Sequence, residues 1–425
     1  MKYQTIRGTK DILPDEISQW QGVEAAARAL FRIYGYNEIR TPVIEETGLF
    51  VKSVGEDTDI VKKEMFSFQD RGERDISLRP EGTAPIVRAY LENNLYKTDP
   101  FQKLYYIGPM FRAERPQAGR LRQFHQIGCE AIGSSNPAID AEVIKVMTAL
   151  LDAAGIKEYE VRINNLGCAE DKKRLSRILK DIFTQSAVNK TLCEDCRRRA
   201  KENPLRLLDC KNENCRTVIR GNFKDVKFLC AECGNFFEEV LRCLKIAKVN
   251  FRMDPYIVRG LDYYTRTVFE VTHSSLGSQN ALGAGGRYDN LINQMGGPET
   301  GACGFALGVD RMILAIPPQT AEVKKNSDCN VLYIAALGAA AREKGLEILN
   351  DIRSSGIASA MTYEDSSLKS KMRAADKLGA KFVLIIGDDE ISKGEAMLRD
   401  MVTKEQQSVK FEEVIQRIKA SVNIK

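Results

Sequence analysis

Near residue 328 the rhythm of the chain changes, and that change limits what the chain can fold into. Before it, apolar runs come in pairs with short polar joins. Residues 64–79, EMFSFQDRGERDISLR, alternate on either side of RGER, which predicts a hairpin. KLYYIGPMFRAE and RQFHQIGCEAIG form a second pair, joined by RPQAGRL at 115–121. Helical spacing over 16–34 closes at Tyr34-Gly35, RPEGTAPIVRAYLEN reads as a second helix, and residues 138–155 as a third ending at Gly155. Further on, YIVRGLDYYTRTVFEVTH reads as one long β-rich run. ALGAGGRYDNLINQMGG reads as a glycine-rich turn entering a helix, and ACGFALGVDRMILAI as strand, turn and helix. YNEIRTPVIE, with Pro42, suits an extended edge segment.

After a linker-like stretch at 317–328, PPQTAEVKKNSD, strands and helices alternate. VLYIAAL, IASAMTY and KFVLIIG are strands, while AREKGLEILNDIRSSG, LKSKMRAADKLGA and FEEVIQRIKA are helices. The first part therefore reads as α+β built on an antiparallel sheet, and the last as a small α/β domain with a parallel-type core. The expected domains are 1–325, interrupted by a mainly helical insertion at about 170–250, and 326–425.

The interruption is where charge and cysteine gather. Residues 170–250 hold 19 Lys/Arg against 12 Asp/Glu, a net of +7 in a chain whose total is +5. Such an excess suits contact with a polyanion; a solvated helical surface is the plainer alternative. Seven of the 11 cysteines lie between Cys193 and Cys243, which fits a reduced, cytoplasmic chain with a local metal-type cluster better than a disulfide scaffold. Cys193/Cys196, Cys210/Cys215 and Cys230/Cys233 are three short-range pairs, and four of the six suffice for a tetrahedral zinc site. Cys193, Cys196, Cys210 and Cys215 are the preferred set; a structural zinc and a metal-free segment both stay open. The amino terminus has no apolar run, so no leader is expected, and no stretch approaches eighteen apolar residues, so no membrane partner is expected either.

The chain has no phosphate-loop GxxxxGK[ST] motif and only two histidines, His125 and His273, which leaves a histidine-based metal centre or Ser-His-Asp triad almost without supply. What it has is arginine beside apolar β-type runs: Arg79 in SLRPEGT, Arg112 in PMFRAE, Arg259 in VRGLDYY and Arg311 in GVDRMIL. Guanidinium groups suit bidentate contact with phosphate, and several converging on one pocket would hold a triphosphate and offset charge developing on phosphorus.

TPVIEE around Pro42, FRAE with its loop and RQFHQ, and GFALGVDR resemble the three signature motifs of the class II aminoacyl-tRNA synthetases. RGLDYYTRTVFE (259–270) and ALGAGGRYD (281–289) resemble the two histidine-specific peptides of the histidyl-tRNA synthetases, and RGTKDILP and LRPEGTA agree. The likeness runs essentially end to end. It implies ligation of L-histidine to histidine tRNA through a histidyl-adenylate, with ATP and Mg²⁺, by a cytoplasmic homodimer. The sister family, the non-charging regulatory subunit of ATP phosphoribosyltransferase, typically lacks the histidine-peptide arginine and the last domain, both kept here as Arg259 and residues 326–425.

By the same resemblance Arg112, Arg259 and Arg311 are catalytic, gripping the phosphates. Phe124 stacks on adenine and Glu114 receives its amino group. Glu81, Thr83 and Gln126 hold the amino and carboxylate ends of histidine, Glu130 and Tyr264 the imidazole, with Arg259, Tyr263 and Tyr288 completing the pocket. If Tyr263 and Tyr264 share a strand, one of them faces the core. Arg115, Gln117 and Arg120, in the loop, are the candidates for the tRNA acceptor end. His125 is read as structural, because alternation turns it away from Phe124 and Gln126. Anticodon contacts are expected near Lys369, Lys371, Arg373 and Lys377.

Overall fold

The computed structural model describes residues 3–223, 226–317 and 331–422. The chain divides into two compact units, 1–321 and 322–425. The linker stretch lies, from residue 318 on, outside the described residues.

The first unit opens with α1 (Pro14–Ile33), which starts on Pro14 and carries Asp15 and Glu16 in its first turn. Its stripe of Trp20, Val23, Ala27 and Phe31 is buried. The chain then lays down β1 (Asn37–Glu38), β2 (Ile44–Glu46), the hairpin β3 (Phe66–Gln69) and β4 (Asp75–Leu78), and α2 (Thr83–Glu92). The long hairpin β5 (Gln102–Phe111) and β6 (Gln123–Ile132) leads to α3 (Pro137–Ala153) and β7 (Tyr159–Asn165). The insertion contributes α4 (Ala169–Phe183), α5 (Glu194–Glu202), α6 (Glu213–Phe223) and α7 (Ala231–Ile246). It has its own core, including Leu175, Leu179, Phe183, Leu207 and Ile219. β8 (Arg252–Met253), β9 (Thr265–His273), β10 (Ala281–Arg287), β11 (Ala302–Gly308) and α8 (Val309–Ala315) complete the unit.

Eight strands form one sheet in the order β1-β5-β6-β11-β10-β9-β7-β8, antiparallel except where β1 and β8 add at the two edges. α1, α3 and α7 cover one face, over Ile127, Cys129, Ala131, Phe269 and Phe305. The opposite face, with Phe124, Tyr106 and Val268, packs on α2 and on the Tyr263–Tyr264 segment. Alternation along β6 thus sends Phe124 and His125 to opposite faces, and the His125 ring meets Trp20 edge-on at 5.1 Å.

Two readings of the sequence are corrected here. The glycine-rich run is a central strand, β10, and not a turn. A Cβ on Gly285 would lie 2.2 Å from the Gly304 carbonyl oxygen, so only glycine lets these backbones close on one another. The long run 256–273 is a strand only from Thr265, so Arg259, Tyr263 and Tyr264 sit in irregular backbone.

The second unit holds β12 (Leu332–Ala336), α9 (Ala339–Ser354), β13 (Ser359–Met361), α10 (Leu368–Lys377), β14 (Phe382–Ile386), β15 (Glu395–Asp400), β16 (Gln406–Lys410) and α11 (Val414–Val422). β13, β12 and β14 are parallel as expected, but β15 and β16 add an antiparallel hairpin that the sequence reading missed. Their charged, alternating residues gave no apolar run to find. On α10, Lys369, Arg373 and Lys377 are exposed, whereas Lys371 is buried and donates to the carbonyls of Thr362 and Glu364. Lys371 is therefore a structural residue, not part of the exposed face of α10. Among the described residues no helix is long and apolar enough to cross a membrane.

One buried ion pair fastens α3 to the sheet. Arg287, fully buried, donates from Nη2 to Asp140 at 2.5 Å and from Nη1 to Asp289 at 2.8 Å. Arg287→Met strands the Asp140 carboxylate and is expected to cost about 3–5 kcal/mol, read from urea unfolding, with Asp140→Leu added to it recovering part of the loss.

Candidate active site

The strands bring most of the anticipated residues to one place. A cavity of about 300 Å³ opens on the sheet face opposite α1, within the range of small-molecule sites. Arg112, Arg120, Arg259 and Arg311 line it, with Glu81, Thr83, Glu114, Phe124, Gln126, Tyr263 and Tyr264. The fourth arginine of the sequence reading, Arg79, does not converge on it. Its Nε donates to the Pro109 carbonyl and its Nη1 to Thr41, so it ties the TPVIEE block to β5.

At the cationic end, Arg112 Nε donates to the Pro80 carbonyl at 2.9 Å, and its guanidinium lies 5.3 Å from the centre of the Phe124 ring. Arg311 is anchored through Nε to the Gly119 carbonyl and through Nη1 to the Ala281 carbonyl, both at 2.7 Å. Burial lowers the pKa of Arg311, and the nearby charges of Arg120 and Arg112 lower it further. Like charges gathered this closely are a site built for an anion. Arg259 Nη1 donates to Glu270 at 2.9 Å, while its buried Nε has no hydrogen-bond partner among the described residues. Buried donors are seldom left so unless a ligand completes them.

The loop does not behave as the sequence suggested throughout. Gln117 and Arg120 exchange backbone hydrogen bonds in a tight turn, with Gly119 at φ +69°. Arg115 and Gln117 remain exposed at the tip. Arg120 is turned back into the cavity, where its Nε pairs with Glu114. It is thus a cavity residue, half-buried where Arg115 and Gln117 are exposed. Glu114 also lies 3.8 Å from Arg112, so this carboxylate stands between two guanidinium groups.

The other end is a net of buried carboxylates and hydroxyls. Glu81 caps the start of α2, accepting the Thr83 amide at 2.7 Å and the Ala84 amide at 2.8 Å, and faces the Tyr263 hydroxyl at 3.4 Å. Glu130 accepts the Thr83 hydroxyl at 2.7 Å and the Tyr288 hydroxyl at 2.5 Å. Glu130 and Tyr288 lie beneath the cavity floor, each about 1 % exposed, rather than on its surface. Room for the carboxylate comes from the next strand: a Cβ on Gly304, opposite Glu130 in the register, would lie 1.8 Å from Oε2. Both Tyr263 and Tyr264 line the cavity. The expected alternation does not apply, because they precede the first residue of β9.

Tyr106 was missed. It lines the cavity, and its buried hydroxyl has no partner among the described residues. A Cβ on Gly128 would lie 2.5 Å from the Tyr106 ring. The signal was the register, which sets Tyr106 against Gly128 across the hairpin and was invisible in the order of residues alone.

An antiparallel sheet carrying an arginine-walled cavity assembled from three separated blocks is the catalytic architecture of the class II aminoacyl-tRNA synthetases. A family model described as histidyl-tRNA synthetase matches residues 8–312, and one described as an anticodon binding domain matches 331–421. The histidine–tRNA ligase of Desulforudis audaxviator is 47% identical over 413 residues, 97% of each chain. The crystal structure of the apo histidyl-tRNA synthetase of S. aureus superposes with a TM-score of 0.80 at 34% identity, covering 98% of this chain and 100% of that one. An ATP phosphoribosyltransferase regulatory subunit/histidyl-tRNA synthetase from Bacillus halodurans shares the fold, at 21% identity, a TM-score of 0.66, and coverage of 91% of this chain and 99% of that one. The chain belongs to the histidyl-tRNA synthetase family.

Burial pushes the Glu130 carboxyl up to about 8, against the hydrogen bonds from Tyr288 and Thr83, and the neighbouring Glu81 adds to the rise. A carboxyl raised on folding contributes stability at low pH that is lost as pH climbs through its folded value. Glu130→Gln removes that loss. Its urea midpoint, relative to the parent chain, is therefore expected to rise between about pH 5 and pH 9, by an amount worth several kcal/mol. A difference independent of pH would contradict the assignment.

Proposed function

We propose that the chain ligates L-histidine to histidine tRNA in two steps, using ATP. The observation that carries this reading is a single cavity with convergent arginines at one end and a hydroxyl-lined carboxylate net at the other.

In the first step the histidine carboxylate attacks the α-phosphorus of ATP, the bond to the β,γ-phosphates breaks, and pyrophosphate leaves. The carboxylate is ionised at neutral pH, so no general base is required; placement and relief of charge are. Arg259, whose Nε has no hydrogen-bond partner among the described residues, suits the α-phosphate together with Arg112. Arg311 suits the far side of the nucleotide, and Phe124 offers a ring for adenine. Glu270, part-exposed on the wall, fits as a ligand for the Mg²⁺ that accompanies ATP, whose charge offsets that of the phosphates.

At the other end, Glu130 beneath the floor and Tyr264 on it match the two ring nitrogens of an imidazole, with Tyr288 orienting Glu130. A pocket that hydrogen-bonds both nitrogens rejects apolar analogues strongly. Glu81, Thr83 and Gln126, whose Oε1 has no hydrogen-bond partner among the described residues, suit the amino and carboxylate ends. In the second step a terminal ribose hydroxyl of the tRNA attacks the adenylate carbonyl and AMP leaves.

Beside the cavity, and sharing Glu270 and Ala281 with it, runs a groove of about 820 Å³ whose basic residues are Arg162, Lys211, Arg216, Arg220 and Arg252. Asp209, Glu213, Asp254 and Glu270 also line it, so the groove is mixed in charge; Arg216 and Arg220, one turn apart on α6, support contact with the acceptor arm, with Arg115 and Gln117 meeting its end. Cys193, Cys196, Cys210 and Cys215 hold their sulfurs within 4.8 Å of one another, a donor set that fits a structural Zn²⁺. Val43 and Ile44, exposed in the TPVIEE block, support burial by a second copy in a homodimer. We place the enzyme in the cytoplasm, in keeping with the free cysteines among its described residues.

Histidine-dependent exchange of labelled pyrophosphate into ATP, followed by charging of histidine tRNA, tests the reading. Arg259→Ala is expected to lower the exchange rate about 10²- to 10³-fold. Folded protein without exchange would overturn the proposal, and the non-charging regulatory role would replace it. Arg216→Ala and Arg220→Ala are expected to leave exchange unchanged, raise KM for tRNA and each reduce the salt slope of tRNA binding by about 1.

A further inference from the structure

Apart from the four-cysteine cluster, a second group of soft donors stands at the base of the insertion. Cys168 precedes α4 and Asp171 lies in its first turn; Cys230 precedes α7 and Cys233 lies in its first turn. Three thiols and a carboxylate oxygen from these residues lie within 4.8 Å of one another. A tetrahedral zinc with thiolate bonds of about 2.3 Å needs donors about 3.8 Å apart, so only a small closure separates this group from a coordination shell.

The carboxylate is what distinguishes the group from a chance meeting of cysteines. The Asp171 side chain is fully buried. Its Oδ1 accepts the Cys230 amide at 3.0 Å and Arg174 Nη1 at 3.3 Å, while its buried Oδ2 has no hydrogen-bond partner among the described residues. That is how a ligating aspartate is held: one oxygen fixed by the surrounding protein, the other free for the ion. Space for it is kept by Gly167, at φ +73°, where a Cβ would lie 2.6 Å from Oδ2. The Cys233 amide donates to Cys230 Sγ at 3.4 Å, and the three cysteines lie at the N-terminal ends of α4 and α7.

We propose that Cys168, Asp171, Cys230 and Cys233 form a second structural zinc site, separate from the four-cysteine one, that clamps the outgoing and returning ends of the insertion to each other. Zinc replaces the thiol protons, with no change of oxidation state. The clamp reaches the substrate cavity through the next residue. Lys172 donates at 2.8 Å to the carbonyls of both Asp262 and Tyr264, the segment that presents Tyr263 and Tyr264. Loss of the metal therefore loosens the histidine end of the cavity.

Cobalt titration of the reduced, metal-stripped full chain, followed by thiolate-to-metal absorption, tests the site. The parent chain is expected to bind two equivalents. Asp171→Asn, nearly isosteric, is expected to bind one as before and the other about 100-fold more weakly. Cys233→Ser is expected to lose the same equivalent, whereas Cys196→Ser loses the other. Asp171→Asn also raises KM for histidine more than it lowers kcat. Bound cobalt that survives both Asp171→Asn and Cys233→Ser undiminished overturns the proposal, whether or not Cys196→Ser removes an equivalent.

Discussion

A carboxylate buried in the middle of a sheet makes demands on everything around it, and Glu130 is such a group. Left ionised without partners it would cost several kcal/mol, so the fold must supply donors and room. The donors come from two other elements, Thr83 at the start of α2 and Tyr288 just past β10. The room comes from Gly304 on β11. Four elements are thereby held in one register by one side chain. The glycines of β10 follow from the same crowding, because that strand must close on β11 while β11 clears Glu130.

The cationic half of the cavity rests on this frame and answers a different problem. Arg112, Arg259 and Arg311 come from the end of β5, from the segment before β9 and from α8. None is fixed by an ion pair that uses its whole guanidinium. Among the described residues each is hydrogen-bonded at one or two nitrogens, to Pro80, to Glu270, or to Gly119 and Ala281, with Glu114 also 3.8 Å from Arg112, which leaves other donors for a ligand. Anchoring fixes direction and spares the ordering of a long side chain when the nucleotide arrives. Arg120 and Glu114 show the same economy: an arginine from the loop neutralises the carboxylate beside Arg112.

Much of this was legible in the residue order. The hairpin of β5 and β6, the helices α1 and α3, and the switch to βαβ alternation follow from apolar period and turn chemistry. Arg112, Arg259 and Arg311 stood out because guanidinium groups beside apolar strands need a reason. What escaped depends on contacts across the fold. Tyr106 matters because it faces Gly128 on a neighbouring strand, Arg120 because a tight turn reverses it, and Lys371 because two carbonyls of a preceding loop claim it. Asp171 carries no signal of its own in the residue order, and only folding sets it among Cys168, Cys230 and Cys233. The β15–β16 hairpin escaped because polar alternation at an edge carries little signal.

The central claim is that the Glu130 net and the arginine cluster are two ends of one substrate site. A crystal structure of the full chain bound to a sulfamoyl analogue of histidyl-adenylate tests it most directly. The imidazole is expected over Glu130 and within hydrogen-bond reach of Tyr264, the sulfamoyl group between Arg112 and Arg259, and adenine against Phe124. An analogue bound with its imidazole away from Glu130, or outside this cavity, would contradict it.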